Sequence, residues 1–317
     1  MKGLLLNEWI KIMKQKSTIV MVVLLIIGVF GLAGITVAMN KDQGNIGISP
    51  TWEQDLQQTI AADKETVKGL SDSYYKKNLE QSIAVNEYRL ENELPPLQEY
   101  NVSSFMDDSI GLVSFVGLFI IIIAASIVAS EYSWGTIKLL LIRPANRIQI
   151  LVAKYVIVLA YGFSLLVLLF FVSLLTGFVV FGSPSEAIPY LSFAGGEVVE
   201  KSWVANMFTQ YLLTTVDILL IATMAFAVST LFRNQSLAIG LSLFLLFVGS
   251  TATLILTQYF DWAKYLLFAN TDLTVYFNGV PYIESMTLGF SIIILVAHWL
   301  FFQAVAFVAF VKRDVAG

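Results

Sequence analysis

Six separate stretches of this chain are each long and apolar enough to cross a bilayer as a helix: 18–39, 109–130, 151–181, 208–232, 237–258 and 286–311. A hydrocarbon core about 30 Å thick takes about 20 residues at a rise of about 1.5 Å each. Inside lipid a backbone must satisfy its own N–H and C=O groups, so an apolar run of this length folds as a helix. Composition agrees: 57% of the residues are hydrophobic and 13% are charged, about half the charged share of an ordinary soluble domain. The charges fall in clusters between the apolar runs. The expected fold is all-α, a polytopic membrane protein with six transmembrane helices, an N-terminal amphipathic helix over 1–17 and an external helical hairpin within 40–108. The run at 18–39 exceeds the apolar centre of a signal peptide, about 7–15 residues, and reads as a retained span. Gly28, Gly31, Gly34, Gly111 and Gly117 are expected at helix–helix contacts, where small residues let backbones approach.

Basic residues beside the spans set the orientation. One side collects Lys2, Lys11, Lys14 and Lys16, then Lys138, Arg143, Arg147 and Lys154, then Arg233, Lys312 and Arg313, against only Glu8, Glu131 and Asp314. Both termini are therefore expected on the cytoplasmic side of a cell membrane, and a bacterial source is expected. On the opposite side, 40–50 reads as a Gly/Asn-rich linker, and Thr51 with Gln54 fits a capping box that opens a helix. That helix should break near 69–72, and Pro95-Pro96 should end the second arm of the hairpin. The loop 182–207, with Pro184, Pro189, Gly195 and Gly196, looks irregular, with room for a re-entrant turn. The loop 259–285 carries Tyr259, Trp262, Tyr265, Tyr276 and Tyr282, rings that settle at headgroup level.

Several chemistries are excluded by residue supply. There is no cysteine, and His298 is the only histidine. Thiolate catalysis, disulfides and multi-histidine metal centres are ruled out. No Gly-x-x-x-x-Gly-Lys-Ser/Thr loop occurs, so nothing in the chain cradles nucleotide phosphates. No catalytic, cofactor-binding or metal site is expected within this polypeptide.

Two segments on the basic side carry the sharpest patterns. In the first, Leu5, Trp9 and Ile12, and beside them Leu6, Ile10 and Met13, recur at helical spacing with lysines opposite, which describes a helix lying in the membrane interface. In the second, Gly135 turns the chain out of span 2, a short apolar helix over 136–142 is stopped by Pro144, and Asn146 with Gln149 makes a capping pair for span 3. On pattern alone this piece reads first as a connector with an interfacial helix and second as a force-bearing contact for a docked protein. Asp217 lies mid-span, where a charge costs about 3 kcal/mol on insertion scales. It either lines a translocation path or hydrogen-bonds within the bundle, to Thr214 or to a neighbouring span. His298 has the same two readings, while Thr223 and Ser242 are expected to bond within their own helices.

The order of elements resembles the permease subunits of ABC exporters, in the superfamily that handles drugs, antimicrobial peptides and polysaccharides. The specific resemblance rests on Asn7-Glu8-Trp9 and on the segment from Glu131 through Gly135, Thr136, Lys138 and Pro144 to Arg147. It implies a permease that dimerises with a second, identical or homologous copy. A separate ABC ATPase would hold ATP and Mg, and Glu131, Gly135, Thr136, Lys138, Arg143 and Arg147 would couple to it. Glu8, Trp9 and Lys11 belong to the interfacial helix, and Asp217 and His298 are candidates for the translocation path. The implied cargo is hydrophobic or amphipathic, such as a peptide antibiotic, giving export and antibiotic resistance or immunity. The large external loop departs from many relatives. It leaves a second class open, an ABC-associated sensor that captures an external ligand without moving it. A membrane-embedded enzyme fits less well, because the spans lack a cluster of acid–base residues.

Overall fold

The computed structural model describes residues 1–41, 51–70, 74–96, 100–137, 146–183, 189–194, 196–232 and 234–312. The chain is a multi-pass membrane protein whose six long apolar helices are Lys16–Met39, Val102–Ser126, Arg147–Phe181, Trp203–Leu231, Gln235–Thr257 and Leu288–Lys312, here spans 1 to 6. A helix over Lys2–Met13 precedes them. Spans 2 and 4 form the centre: 56% and 61% of their most apolar 18-residue stretches are buried in protein, against 11% for spans 5 and 6, which therefore present most of their surface to lipid. Six crossings give the bundle an N-terminal face, holding Lys2–Met13, and an opposite face that carries the hairpin.

Span 2 starts one to two turns earlier than its hydropathy indicates. Asp107 and Asp108 make its first residues look like loop. Yet Val102, Phe105 and Met106 are fully buried, and the Asn101 side chain caps the helix by accepting from Ser103 N at 2.9 Å. Packing against span 3 drives this. A Cβ on Gly177 would meet Val102 Cγ2 at 2.9 Å, and Phe181 stacks on Tyr100 and Phe105 with ring centroids 4.8 and 5.2 Å apart.

The glycines that enforce close helix contacts are not the expected ones. A Cβ on Gly31, Gly34 or Gly111 would meet nothing within 4 Å among the described residues, and on Gly28 or Gly117 only ordinary contacts. Gly162 is different, because spans 2, 3 and 4 converge there and a Cβ would lie 2.1 Å from Ile120 Cδ1 and 3.4 Å from Ile218 Cγ2. Backbone proximity depends on which helix faces which, and glycine count alone does not reveal it.

On the hairpin face, Trp52–Gly69 and Tyr74–Glu91 pair through Leu56, Ile60 and Ile83, as the alternation of apolar residues indicates. The linker 40–50 and the break at 71–73 lie largely outside the described residues. Thr51 precedes the first arm without the capping bond expected of it; its hydroxyl reaches Asp55 Oδ2 at 3.3 Å. The loop after span 3 is a correction as well. It forms an antiparallel β-hairpin, β1 (Tyr190–Ala194) and β2 (Glu197–Lys201), paired from Tyr190↔Lys201 to Ala194↔Glu197. Leu191 is buried and Val198 half-buried, and the ribbon is pinned from below: Lys201 Nζ donates to Ser192 Oγ at 2.9 Å and to Phe277 O at 3.3 Å. The helical hairpin rests on this layer through Tyr88 OH to Glu200 at 3.2 Å, Gln81 Nε2 to Asn278 O at 3.2 Å, and Lys77 with Glu284 at 2.9 Å.

The aromatic loop between spans 5 and 6 folds down into the bundle. Short helices Leu267–Asn270 and Val275–Asn278 lie between the ends of the spans, with the Phe268 ring where a Cβ on Gly249 of span 5 would sit. Leu267 and Leu273 pack with Leu220, Met224 and Leu295. Irregular backbone at such depth needs internal partners, and fully buried Asn270 supplies them: its Nδ2 donates to Lys264 O and Leu266 O at 2.7 and 2.8 Å, and its Oδ1 accepts from Ser291 Oγ at 2.7 Å. Tyr259, Trp262 and Tyr265 stay exposed at the rim.

Candidate functional site

Two places in the bundle gather polar chemistry. At the N-terminal face, span 2 breaks after Ser126 and resumes as Ala129–Ser133. The break frees the N–H groups of Val128 and Ala129, and both donate, at 3.1 Å, to the hydroxyl of Ser229, a fully buried residue of span 4. The short helix after the break aims Glu131 into the protein. Its carboxylate accepts from Lys154 Nζ at 3.0 Å, and also from Lys11 Nζ and the Thr136 hydroxyl. Lys154 bonds Glu8 Oε2 at 2.9 Å as well. Side-chain exposure is 1% for Lys154, 2% for Glu131 and 8% for Glu8.

This cluster revises how the N-terminal helix sits. Lys11, expected with the lysines opposite the apolar residues, reaches Glu131, and Glu8 enters the ion pairs beside buried Ile12 and half-buried Trp9. Leu6, Ile10 and Met13 form the exposed apolar stripe, as an interfacial helix requires. Thr18 Oγ1 donates to Ile12 O at 2.7 Å and fixes the turn into span 1. Two carboxylates and two ammonium groups thus tie together the N-terminal helix, the end of span 2 and the start of span 3. Buried ions cost several kcal/mol each unless paired and hydrogen-bonded; here each partner satisfies the next.

The remaining residues of the sequence pattern surround this cluster. Gly135 has φ +70°, a left-handed turn that a side chain would strain. Asn146 and Gln149 form the expected capping box at the start of span 3. Arg147 Nη1 donates to Val311 O at 3.1 Å and so holds the end of span 6. Lys138, Arg143 and most of the 136–142 segment lie outside the described residues. Lys154, the hub of the cluster, is not marked as a site residue by the sequence pattern, because six residues of span separate it from Arg147; its signal is a lysine inside an apolar run, which demands a carboxylate.

Burial alone pushes the Glu131 carboxyl upward, but Lys154 and the hydrogen bonds from Lys11 and Thr136 outweigh it and hold the group at about 2, against an ordinary 4.5. A carboxyl lowered on folding lends stability that is complete above pH about 4.5 and is lost as pH falls through about 2. The thermal midpoint of the purified protein is therefore expected to stay level from about pH 7 to about pH 5 and to drop below about pH 4. A midpoint that does not fall, or that rises, between about pH 4 and about pH 2 would mean the Glu131 pairing is absent in solution.

The second place is a cavity of about 570 Å³ between spans 2, 4 and 5, lined towards the hairpin face by residues 271–274. Asp217 lies at its wall, half-buried, and Thr271 lines the same cavity. Thr214, the partner expected for it, donates to Gln210 O at 2.8 Å instead. His298 does not line this cavity; its Nδ1 lies 2.9 Å from Ile294 O, and its ring faces Phe302 at 6.2 Å. The structure thus separates the two residues grouped as a path. Thr223 bonds Leu219 O of its own helix at 2.6 Å, as expected, and also meets Tyr155 OH, which accepts from Trp299 Nε1. Buried Ser242 Oγ has no partner among the described residues.

Comparison with known proteins gives relatives without an assigned activity. Residues 72–316 match the family described as "Protein of unknown function (DUF2705)". The "Uncharacterized protein YhcI" of Bacillus subtilis (strain 168) is 43% identical over 319 residues, covering the whole of both chains. The "Uncharacterized membrane protein YdbK" of the same organism is 34% identical over 197 residues, 62% of this chain and 76% of that protein.

Proposed function

The chain belongs to the DUF2705 family, and for this member we propose the role of membrane-spanning permease in an ATP-driven exporter. ATP hydrolysis takes place in a separate ABC ATPase, and a second permease completes the transporter. The N-terminal face is then cytoplasmic, in keeping with its excess of lysine and arginine over acidic residues.

The observation that carries this reading is the buried Glu8–Lys154–Glu131–Lys11 cluster. A motor docked on a membrane domain moves it only through parts stiff enough to transmit a displacement. Here the segment that follows span 2 leaves directly from Glu131, Gly135 and Thr136 and returns at Arg147. One end is fixed to span 3 and the N-terminal helix by ion pairs; the other is fixed to span 6 by Arg147. A push on the segment is delivered to spans 2, 3 and 6 together. Centrally packed spans that move as bodies provide the two discrete arrangements that alternating access uses. Glu131 and Glu8 are buried, so in this reading they position the segment and do not touch the ATPase.

The test keeps the cluster intact and changes charges on the segment. The protein, extracted from its native membrane in mild detergent, is expected to bring down an ATPase subunit. Reversal at both Lys138 and Arg143 to Glu is expected to lose that subunit while the permease remains monodisperse. Absence of an ATPase from the wild-type preparation, with or without chemical cross-linking beforehand, defeats the proposal.

A further inference from the structure

We infer that the cavity between spans 2, 4 and 5 binds a lipophilic cation, with Asp217 as its counter-ion. The inference rests on the export reading for its role as a cargo site, and on the cavity alone for its ligand chemistry. At about 570 Å³ the space falls within the range that holds drug-sized molecules, about 300–1,000 Å³. Its walls divide by chemistry. Phe115, Leu118, Leu246 and Phe247 supply an apolar side; among the described residues Asp217 and Asp272 are the only ionisable ones that line it, with no lysine, arginine or histidine.

Asp217 sits 14 residues inside span 4 from either end, and the polar groups that line the cavity beside it include the neutral hydroxyls of Thr214 and Thr271. A carboxylate held in an apolar wall gains most from a mobile cation, because no fixed one is present to neutralise it. Asp272 differs. It is exposed on the hairpin side of the cavity and accepts from Thr274 N and Oγ1 at 2.9 and 2.5 Å, so it adds negative potential there without being consumed by a salt bridge. Phe115 and Phe247 are 49% and 59% exposed on the flank between spans 2 and 5, a flank that faces lipid. An amphiphile dissolved in the leaflet thus meets aromatic rings first, which also favour a cation over an anion, and the carboxylate behind them. A zwitterionic lipid headgroup would bring its phosphate against the same two aspartates, so the site selects a molecule of net positive charge.

The experiment uses two ions of nearly equal size and shape and opposite charge, tetraphenylphosphonium and tetraphenylborate. Their binding to the full chain in lipid nanodiscs is measured by equilibrium dialysis, with protein-free nanodiscs subtracted. Saturable binding of the phosphonium, with the borate showing none, is the expected result. Asp217→Asn is expected to weaken phosphonium binding about tenfold or more, the effect of removing a charged partner from a desolvated pair, and Asp217→Glu to retain it. Equal binding of both ions, or unchanged phosphonium affinity in a monodisperse Asp217→Asn protein, overturns the inference. Should Asp217→Asn fail to fold, Phe247→Glu, which adds charge at the lipid-facing rim, is expected to raise phosphonium affinity, and no rise overturns the inference. Phosphonium binding without any co-purifying ATPase supports this site and defeats only the exporter reading.

Discussion

Lys154→Met is expected to remove most of the folded protein. The substitution is close in volume and apolar, yet it leaves Glu8 and Glu131 buried with a single remaining cation, Lys11, which bonds Glu131 and is itself partly exposed. Removing one member of a buried ionic group typically costs about 3–5 kcal/mol, because the partners stay desolvated and unpaired. In a domain-sized protein that corresponds to a fall in thermal midpoint of order 10 °C, read by size-exclusion after heating. The triple variant Glu8→Gln, Lys154→Met, Glu131→Gln removes the stranded charges with the hub and is expected to recover much of the lost midpoint, since well-packed neutral replacements of buried ion groups are often tolerated. The pair of results separates two roles. If the triple variant is stable but no longer shows ATPase activity stimulated by assembly, the cluster serves coupling; if the single variant is as stable as wild type, the ion pairs carry no weight in the fold.

Gly162→Leu is expected to prevent assembly of spans 2, 3 and 4. Even alanine would place a Cβ 2.1 Å from Ile120 Cδ1 and 3.3 Å from its Cγ1, with Ile218 Cγ2 at 3.4 Å. Ile120 is fully buried, so moving its side chain must displace packed neighbours, and overpacking of this kind costs about 1–3 kcal/mol for small additions and more for large ones. The measurement is the yield of monodisperse protein across Gly162→Ala, Gly162→Leu and Gly162→Ala with Ile120→Val. The graded order Ala above Leu, with partial rescue by trimming Ile120, is expected. Equal yields for all variants would show that the three helices do not converge at this glycine.

The two substitutions mark different kinds of information. Six spans, the hairpin with its stop near Pro95, and the Asn146–Gln149 cap at span 3 are written locally, because hydropathy, helix breaking and capping each depend on residues within a turn or a window. Those features are legible without knowing any partner. The early start of span 2 is less so: Asp107 and Asp108 read as loop, and only the burial of Val102 and Phe105 against span 3 makes the segment helical. The β-hairpin over 190–201 depends likewise on a platform that comes from residues 277 and 278.

Chemistry at the two sites belongs to the tertiary structure. Glu8, Lys11, Glu131 and Thr136 are named by their sequence pattern, but the pattern places them outward, towards a membrane or a partner. Lys154, 146 residues from Glu8, turns them inward. An ion pair in an apolar medium is decided by which charges arrive within about 3 Å of each other, and no local window contains that distance. Asp217 shows the same division. A charged residue in mid-span announces that it needs company, whereas the cavity beside it and the loop that supplies Thr271 exist only once spans 2, 4 and 5 and residues 271–274 meet. Sequence alone determined that this is a six-span membrane protein, because solvent preference adds residue by residue. Tertiary structure decided where its buried charges pair and where one is left facing a cavity, because electrostatic energy depends on separation in space.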